Sequence, residues 1–206
     1  MVFGRSERRA RANQPPTDPV TLKILVAGGF GVGKTTLVGA VSEIKPLRTE
    51  ETLTEASRSV DDTEGVEAKT TTTVAMDFGR ITLSETLVLY LFGTPGQDRF
   101  WFLWDELAQG ALGAVVLVDT RRLEDSFSAI DYFERRGIPF VVAVNRFDGA
   151  EDYPTETVRQ ALDLDQRTPL LVCDARELGS AKNVLISVVE HAMLAANEQR
   201  SSAPVS

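Results

Sequence analysis

The sequence predicts an α/β domain built on a mostly parallel, doubly wound sheet with one antiparallel hairpin. Apolar runs alternate with helical patterns along the chain, and runs that are apolar on both faces fit parallel strands buried between two helix layers. The predicted strands are residues 22–27, 87–92, 114–118, 138–144 and 169–172. The predicted helices are residues 34–44, 122–135, 155–161 and 181–196.

A glycine-rich segment joins the first strand to the first helix. Residues 28–35 read Gly-Gly-Phe-Gly-Val-Gly-Lys-Thr, and this G-x-x-x-x-G-K-[ST] spacing lets backbone N–H groups surround a polyphosphate. Lys34 adds a charge for the outer phosphates, the Thr35 hydroxyl can bind Mg²⁺, and the start of the helix supplies free N–H groups. The predicted phosphate-binding residues are Gly29, Phe30, Gly31, Val32, Gly33, Lys34, Thr35 and Thr36.

The antiparallel hairpin is predicted after a long polar segment. Residues 45–72 are rich in Thr and Glu and lack clear periodicity, and such a stretch in a compact domain is usually functional or disordered. Residues 73–81 then alternate apolar and polar side chains and turn near Ser84 into the strand 87–92. Because the polar segment follows a phosphate-binding loop, we expect it to sense the nucleotide.

Three residues in and after the predicted hairpin are candidates for binding Mg²⁺ and for hydrolysis. Thr73 closes a run of four threonines and is the predicted second side-chain ligand of Mg²⁺. Gly96 is expected to offer its N–H to a γ-phosphate, and Gln97 to orient an attacking water. The predicted catalytic residues are therefore Gln97, Lys34 and Thr73.

Two further motifs predict a guanine site. Asn145-Arg146-Phe147-Asp148 follows the strand 138–144, and the Asp148 carboxylate can accept hydrogen bonds from the ring N–H and the amino group of guanine. Adenine has no such pair of donors, so it would leave Asp148 unpaired. Asp174-Ala175-Arg176 follows the last strand, where the Ala175 N–H is expected to meet the guanine carbonyl.

Over about residues 21–197 the chain resembles the Ras-like small GTPase superfamily, because these motifs stand in its order. The resemblance implies a P-loop NTPase fold of the small G-domain type that binds GTP or GDP with Mg²⁺. Pro-Gly-Gln-Asp-Arg-Phe (95–100) resembles the ADP-ribosylation-factor branch, and Thr-Pro-Gly-Gln (94–97) with Asp-Phe (77–78) resembles the bacterial MglA-type branch. The actinobacterial group of that branch implies a roadblock/LC7-domain protein and other operon-encoded signalling proteins as partners.

Three positions depart from the pattern of that superfamily. Gly93 stands where an Asp usually holds Mg²⁺ through water, and Asp77 on the neighbouring strand is a candidate substitute. Phe30 replaces a glycine, and it either crowds the γ-phosphate or packs over the loop. Thr72 replaces an arginine of the MglA-type branch, so Arg99 or a partner must supply that charge. We expect slow intrinsic hydrolysis.

Composition limits the class of partner. The net charge of −8 argues against nucleic-acid binding, the single Cys173 excludes an internal disulfide, and no signal peptide or long apolar span is present. We expect a cytoplasmic protein that reaches a membrane only through partners. Residues 1–19 read as a disordered Arg-rich tail, solvated or in contact with an acidic lipid surface, 20–198 as the G-domain, and 199–206 as a flexible end.

The leading interpretation is a GTP-binding molecular switch that slowly hydrolyses GTP to GDP. The alternative is a nucleotide-binding interaction module with negligible turnover. An ATP-using, kinase-like P-loop enzyme is a third class, which Asp148 disfavours. Five consecutive apolar residues at 100–104 cannot all face one side of a helix, so we expect part of them to form a partner surface.

Overall fold

The computed structural model describes residues 18–54, 71–96 and 101–202. The strands are β1 (Val20–Ala27), β2 (Leu47–Thr54), β3 (Thr71–Ser84), β4 (Leu87–Gly93), β5 (Gly113–Val118), β6 (Phe140–Asn145) and β7 (Leu170–Cys173). The α-helices are α1 (Lys34–Val41), α2 (Trp101–Ala108), α3 (Phe127–Arg136), α4 (Thr155–Ala161) and α5 (Leu178–Ser202), and a 3₁₀ turn (Leu123–Ser126) precedes α3.

The strands of these residues form one seven-stranded sheet in the order β2-β3-β4-β1-β5-β6-β7. β4, β1, β5, β6 and β7 run parallel, whereas β2–β3 and β3–β4 are antiparallel pairs. The predicted parallel sheet with an antiparallel hairpin is therefore confirmed. Because five parallel strands end at one edge, the loops that follow them meet there, which is where α/β sheets bind ligands.

The core lies on both faces of this sheet. Ile24 and Val26 of β1 point into one apolar cluster with α1 and α5, whereas Leu25 and Ala27 point into a second cluster with α2, α3 and α4. All residues of β5 and β6 are buried. This double burial explains why the central strands read as continuous apolar runs and not as alternating ones.

The polar segment 45–72 contains strands that its composition did not predict. Residues 47–54 form β2 at the sheet edge, and β3 begins at residue 71. The backbone of this edge strand is satisfied by pairing with β3 from Leu47↔Phe78 to Thr54↔Thr71, so no apolar periodicity is needed to form it. Residues 55–70 lie outside the described residues.

Several predicted helix and strand limits shift. The first helix ends at Val41 and not at residue 44, because the Ser42 hydroxyl donates to the Ile44 carbonyl (2.7 Å) and turns the chain. The last helix is longer than predicted and spans Leu178–Ser202. α3 ends at Arg136, and Gly137 after it has a left-handed φ of 61°. Residues 1–17 and 203–206 lie outside the described residues, so the predicted tail 1–19 stays a prediction, whereas residues 199–202 of the expected flexible end belong to the last helix.

α2 contains part of the aromatic stretch that we expected to face a partner. Trp104 is 6% exposed and packs edge-on against Tyr132, with ring centroids 5.2 Å apart. Leu103 is half-buried. Trp104 is therefore a core residue and not part of the expected partner surface. The side chains of residues 100–102 lie outside the description.

Candidate nucleotide-binding site

The phosphate loop (residues 28–33) connects β1 to α1 at the carboxyl edge of the sheet. Gly33 has a φ of 107°, a conformation that L side chains rarely adopt, and a Cβ there would lie 2.6 Å from Asn145 Nδ2. Val32 is buried, whereas Gly31 is exposed at the tip of the loop. Glycine is thus required where the loop enters the helix.

Lys34 projects into this loop. Its Nζ donates hydrogen bonds to the carbonyl oxygens of Gly28 (2.8 Å) and Gly29 (2.7 Å). Burial lowers the pKa of Lys34 to about 8, although the nearby Asp77 carboxylate raises it. The ammonium therefore lies where the anionic oxygens of a polyphosphate would stabilise its charge.

Thr35, Asp77 and Gly93 form a compact cluster beside Lys34. The Thr35 hydroxyl donates to Asp77 Oδ2, and Asp77 is only 9% exposed. Asp77 pairs in register with Gly93, and a Cβ on Gly93 would lie 3.2 Å from the Asp77 Cβ. The carboxylate of β3 thus occupies the space that a side chain at position 93 would take.

These oxygens fit a magnesium ion bound with a nucleotide. Mg²⁺ prefers oxygen ligands and is usually held by one or two protein groups together with phosphate oxygens and waters. Thr35 and Asp77 supply a hydroxyl and a carboxylate of that kind. No cluster of three or more His, Cys, Asp or Glu residues suited to a metal occurs among the described residues.

Gly96, in the segment after β4, lies against the phosphate site. A Cβ on Gly96 would lie 2.6 Å from Lys34 Nζ, so the backbone at this position touches the lysine that faces the phosphates. The Thr94 hydroxyl is buried and has no hydrogen-bond partner among the described residues. A bound oxyanion or water would supply one. Gln97 lies outside the described residues, so its catalytic role stays a prediction.

Asn145 joins the phosphate loop to the segment after β7. Its Nδ2 donates to the Val32 carbonyl (2.9 Å), and its Oδ1 accepts from the Ala175 N–H (2.9 Å). Both residues are buried, as a fully bonded amide requires. This differs from the expected role of Ala175, because its N–H is engaged by Asn145 and a guanine carbonyl would have to compete for it.

Asp148 and Arg176 pair with each other in the lining of a pocket of ≈ 220 Å³. Its two carboxylate oxygens accept from Arg176 Nη1 (3.1 Å) and Nη2 (3.2 Å). Arg176 also donates Nε (2.9 Å) and Nη2 (2.8 Å) to Asp174, which lowers the pKa of Asp174 to about 2. Arg146 is exposed and lies 3.8 Å from Asp152. The structure thus brings Asn145, Asp148, Asp174 and Arg176 to one pocket, and their binding of a base stays a prediction.

Thr73 is the predicted ligand that the fold places furthest from the rest. It pairs with Thr52 in the β2–β3 ladder, and it precedes Asp77 on β3 by about 13 Å of strand. The side chain of Thr73 lies outside the description, so its role as a ligand of Mg²⁺ stays a prediction.

Phe30 and Thr36 complete the predicted set. Phe30 is 69% exposed, so its ring neither fills the phosphate loop nor packs tightly over it. Thr36 is exposed in the first turn of α1. Both residues lie at the loop, but their side chains point largely to solvent.

The sequence analysis missed the loop that follows β5 at this edge. Residues 119–122 directly follow β5, and Asp119 is 3% exposed with Arg121 bonded to it. Arg122 Nη2 donates to the Phe30 carbonyl (3.0 Å), and Arg121 lies over the Phe147 ring at 4.1 Å. Their position after a buried parallel strand was the available signal.

No helix in the described part of the chain is long and apolar enough to cross a membrane.

Comparison with known proteins agrees with this geometry. A family model described as "conserved hypothetical ATP binding protein" matches residues 26–195. The uncharacterized protein MJ1339 of Methanocaldococcus jannaschii is 31% identical over 129 residues, which cover 62% of this chain and 71% of that protein.

Two solved structures of similar fold belong to the T. maritima FeoB iron transporter. The G domain of the T. maritima FeoB iron transporter has a TM-score of 0.56 at 17% identity and covers 84% of this chain and 99% of its own. The apo cytosolic domain of the same transporter has a TM-score of 0.57 at 16% identity and covers 84% and 64%. The chain therefore belongs to the P-loop family described as conserved hypothetical ATP binding proteins and has the fold of a small G domain.

Proposed function

We propose that this protein is a guanine-nucleotide switch that binds GTP with Mg²⁺ and hydrolyses it slowly to GDP. Nucleotide binding by the P-loop follows from the family and the fold. The choice of guanine, the turnover and the signalling role are the proposal.

The observation that carries the choice of guanine is the pairing of Asp148 with Arg176. A guanidinium presents two N–H groups on one planar N–C–N edge, and guanine presents the same arrangement through its ring N–H and amino group. Asp148 already accepts such an edge with both oxygens, at 3.1 and 3.2 Å. Adenine would place an acceptor nitrogen against this carboxylate, which costs binding.

The chemistry of hydrolysis is assigned to residues of the phosphate site. The loop N–H groups and Lys34 stabilise negative charge on the outer phosphates, and Gln97 orients the attacking water. Mg²⁺ supplies further neutralisation of phosphate charge when it is bound. Thr35 would bind it directly, while Asp77 accepts a hydrogen bond from the Thr35 hydroxyl and so orients its oxygen.

A second candidate is binding of ATP, which the description of the family names. Competition against a fluorescent GDP analogue distinguishes the two, with GDP, ADP and xanthosine diphosphate as competitors. We expect GDP to bind at least about tenfold more tightly than ADP. Asp148→Asn should weaken GDP and favour xanthosine diphosphate, whose C2 carbonyl can accept from the amide. Equal affinity for ADP and GDP would sink the proposal for guanine.

Turnover separates the switch from the alternative, an interaction module that retains its nucleotide. The measurement is single-turnover phosphate release from bound GTP, in the wild type and in Gln97→Ala. Release that slows in the variant supports hydrolysis with Gln97 in the catalytic role. Intact GTP in both proteins supports the interaction module, with an arginine supplied by a partner.

The relation to the MglA-type branch remains a proposal with its implied partners, a roadblock/LC7-domain protein and other operon-encoded proteins. We also propose a cytoplasmic location, with recruitment to a membrane through such partners. Three apolar side chains of α5 are exposed: Ile186 (54%), Met193 (60%) and Leu194 (63%). Substituting them tests whether a partner binds this helix.

A further inference from the structure

Residues 119–122 form a short connection between β5 and the 3₁₀ turn, at the edge where the nucleotide site lies. The buried Asp119 carboxylate accepts from the Arg121 backbone N–H (3.0 Å), Nε (2.9 Å) and Nη2 (2.7 Å). Arg122 Nη2 lies 3.8 Å from the same carboxylate. Hydrogen bonds from Arg121 hold the pKa of Asp119 below its usual range, so one ionised group orients two adjacent arginines.

The two arginines reach different parts of the site. Arg121 lies over the ring of Phe147, inside the segment 145–148 that carries Asn145 and Asp148. Arg122 donates to the Phe30 carbonyl of the phosphate loop (3.0 Å) and would lie 3.7 Å from a Cβ on Gly31. Residues 119–122 therefore contact the base side and the phosphate side of the site at once.

The contact of Arg122 acts on one peptide group. In a trans peptide the carbonyl of Phe30 and the N–H of Gly31 point in opposite directions. The N–H groups of a phosphate loop point inward, so its carbonyls at the tip point outward. A guanidinium that holds the Phe30 carbonyl from outside fixes the Gly31 N–H toward the phosphates. Because this hydrogen bond is charge-assisted, it also polarises that N–H as a donor.

We propose that Arg122 is a positioning residue for the phosphate chain of the bound nucleotide, acting through the Phe30–Gly31 peptide. Asp119 sets its direction, and Arg121 links the same carboxylate to the base side through Phe147. This role rests on the proposed binding of a guanine nucleotide. It differs from an arginine finger, because Arg122 contacts the loop and not the γ-phosphate.

A purely structural role for Arg122 is the competing explanation. Its side chain is 45% exposed and also lies 3.6 Å from Asp125, and exposed ion pairs of this kind contribute little to stability. Such a pair would affect folding, if anything, and would act equally on every nucleotide. The number of phosphates on the ligand therefore separates the two explanations.

The test measures binding of GMP, GDP and a non-hydrolysable GTP analogue, by competition against a fluorescent GDP analogue. The variants are Arg122→Ala, Arg122→Lys and Arg121→Ala. The control is Arg135→Ala, which removes an exposed ion pair with Asp131 on α3. The thermal midpoint of each nucleotide-free protein reports effects on folding.

We expect Arg122→Ala to weaken GDP and the GTP analogue by about tenfold and GMP by less than twofold. Arg122→Lys should restore part of that loss because it keeps a charged donor. Arg121→Ala should weaken all three ligands by one factor, since they share the base, and Arg135→Ala should change nothing.

Three results overturn the role of Arg122. The first is unchanged affinities in Arg122→Ala, and the second is an equal loss of affinity for all three ligands. The third is a thermal midpoint that falls in Arg122→Ala and recovers in Arg122→Lys, while the affinities for GDP and the GTP analogue do not recover. A wild-type protein that binds none of the three ligands contradicts the proposed function itself, which keeps the two failures distinct.

Discussion

Replacement of Asp77 by Asn is the perturbation that most directly tests the magnesium site. Asp77 is 9% exposed, accepts the Thr35 hydroxyl, and fills the space beside Gly93. Asn keeps the size of the side chain but removes the negative charge. Loss of an outer partner that orients a metal ligand typically lowers metal affinity about 10–100-fold. We expect the affinity of the nucleotide complex for Mg²⁺ to fall within that range.

The assay follows release of a fluorescent GDP analogue over a range of free Mg²⁺ concentrations. The concentration that halves the release rate should rise in Asp77→Asn. Asp131→Asn on α3 serves as the control, because that carboxylate is exposed and pairs only locally with Arg135 in the described contacts. An unchanged dependence on Mg²⁺ in Asp77→Asn would refute the reasoning.

A variant that moves the carboxylate from position 77 to position 93 also tests the magnesium site. A Cβ at position 93 would lie 3.2 Å from the Asp77 Cβ, so Gly93→Asp alone would crowd two carboxylates. Combining Gly93→Asp with Asp77→Gly moves the carboxylate from β3 to β4 at the same register position. We expect the double variant to recover Mg²⁺ dependence that Asp77→Gly loses. Failure of the double variant to recover it, with an unchanged thermal midpoint, would show that the position of Asp77 on β3 matters beyond its charge.

Three further outcomes follow from the structure. Arg176→Ala should speed association of guanine nucleotides about two- to fivefold in stopped-flow measurements, because it frees Asp148 from an exposed ion pair; slower association would show that Arg176 helps to bind the base. Burial raises the pKa of Cys173 to about 12. A thiol reagent at pH 8 should therefore label this cysteine only as fast as the protein unfolds. Rapid labelling of the native state would contradict this burial. Phe133→Ala removes a fully buried ring and should cost about 3–5 kcal/mol in denaturant unfolding, whereas Phe127→Ala, at a ring that is 41% exposed, should cost far less.

The phosphate loop and the grouping of Asn145 with Asp148 could be predicted because each is contiguous in the chain. Gly28 to Thr35 is a single segment, and Asn145 and Asp148 belong to a single motif. The structure brings both to the same edge and adds the Asn145 bond to the Val32 carbonyl. Local spacing is enough when neighbouring residues carry out one task.

The limits of elements and the edge strand were harder to predict. β2 has no apolar pattern, since it forms by backbone pairing with β3 at the edge of the sheet. The five apolar residues at 100–104 did not indicate which of them is buried, and Trp104 is buried because it packs against Tyr132 and Phe133. In both cases contacts with distant segments outweighed the local sequence.

The sequence by itself determined the class of fold and the phosphate loop, because apolar periodicity and turn-forming glycines act over short distances. Only the tertiary structure decided that the Asp77 side chain lies against Gly93, since that depends on the register of β3 against β4. Only the fold, likewise, set Arg122 against Phe30, 92 residues away in the chain. Such contacts depend on how strands order themselves in a sheet, and no spacing along the chain encodes that order.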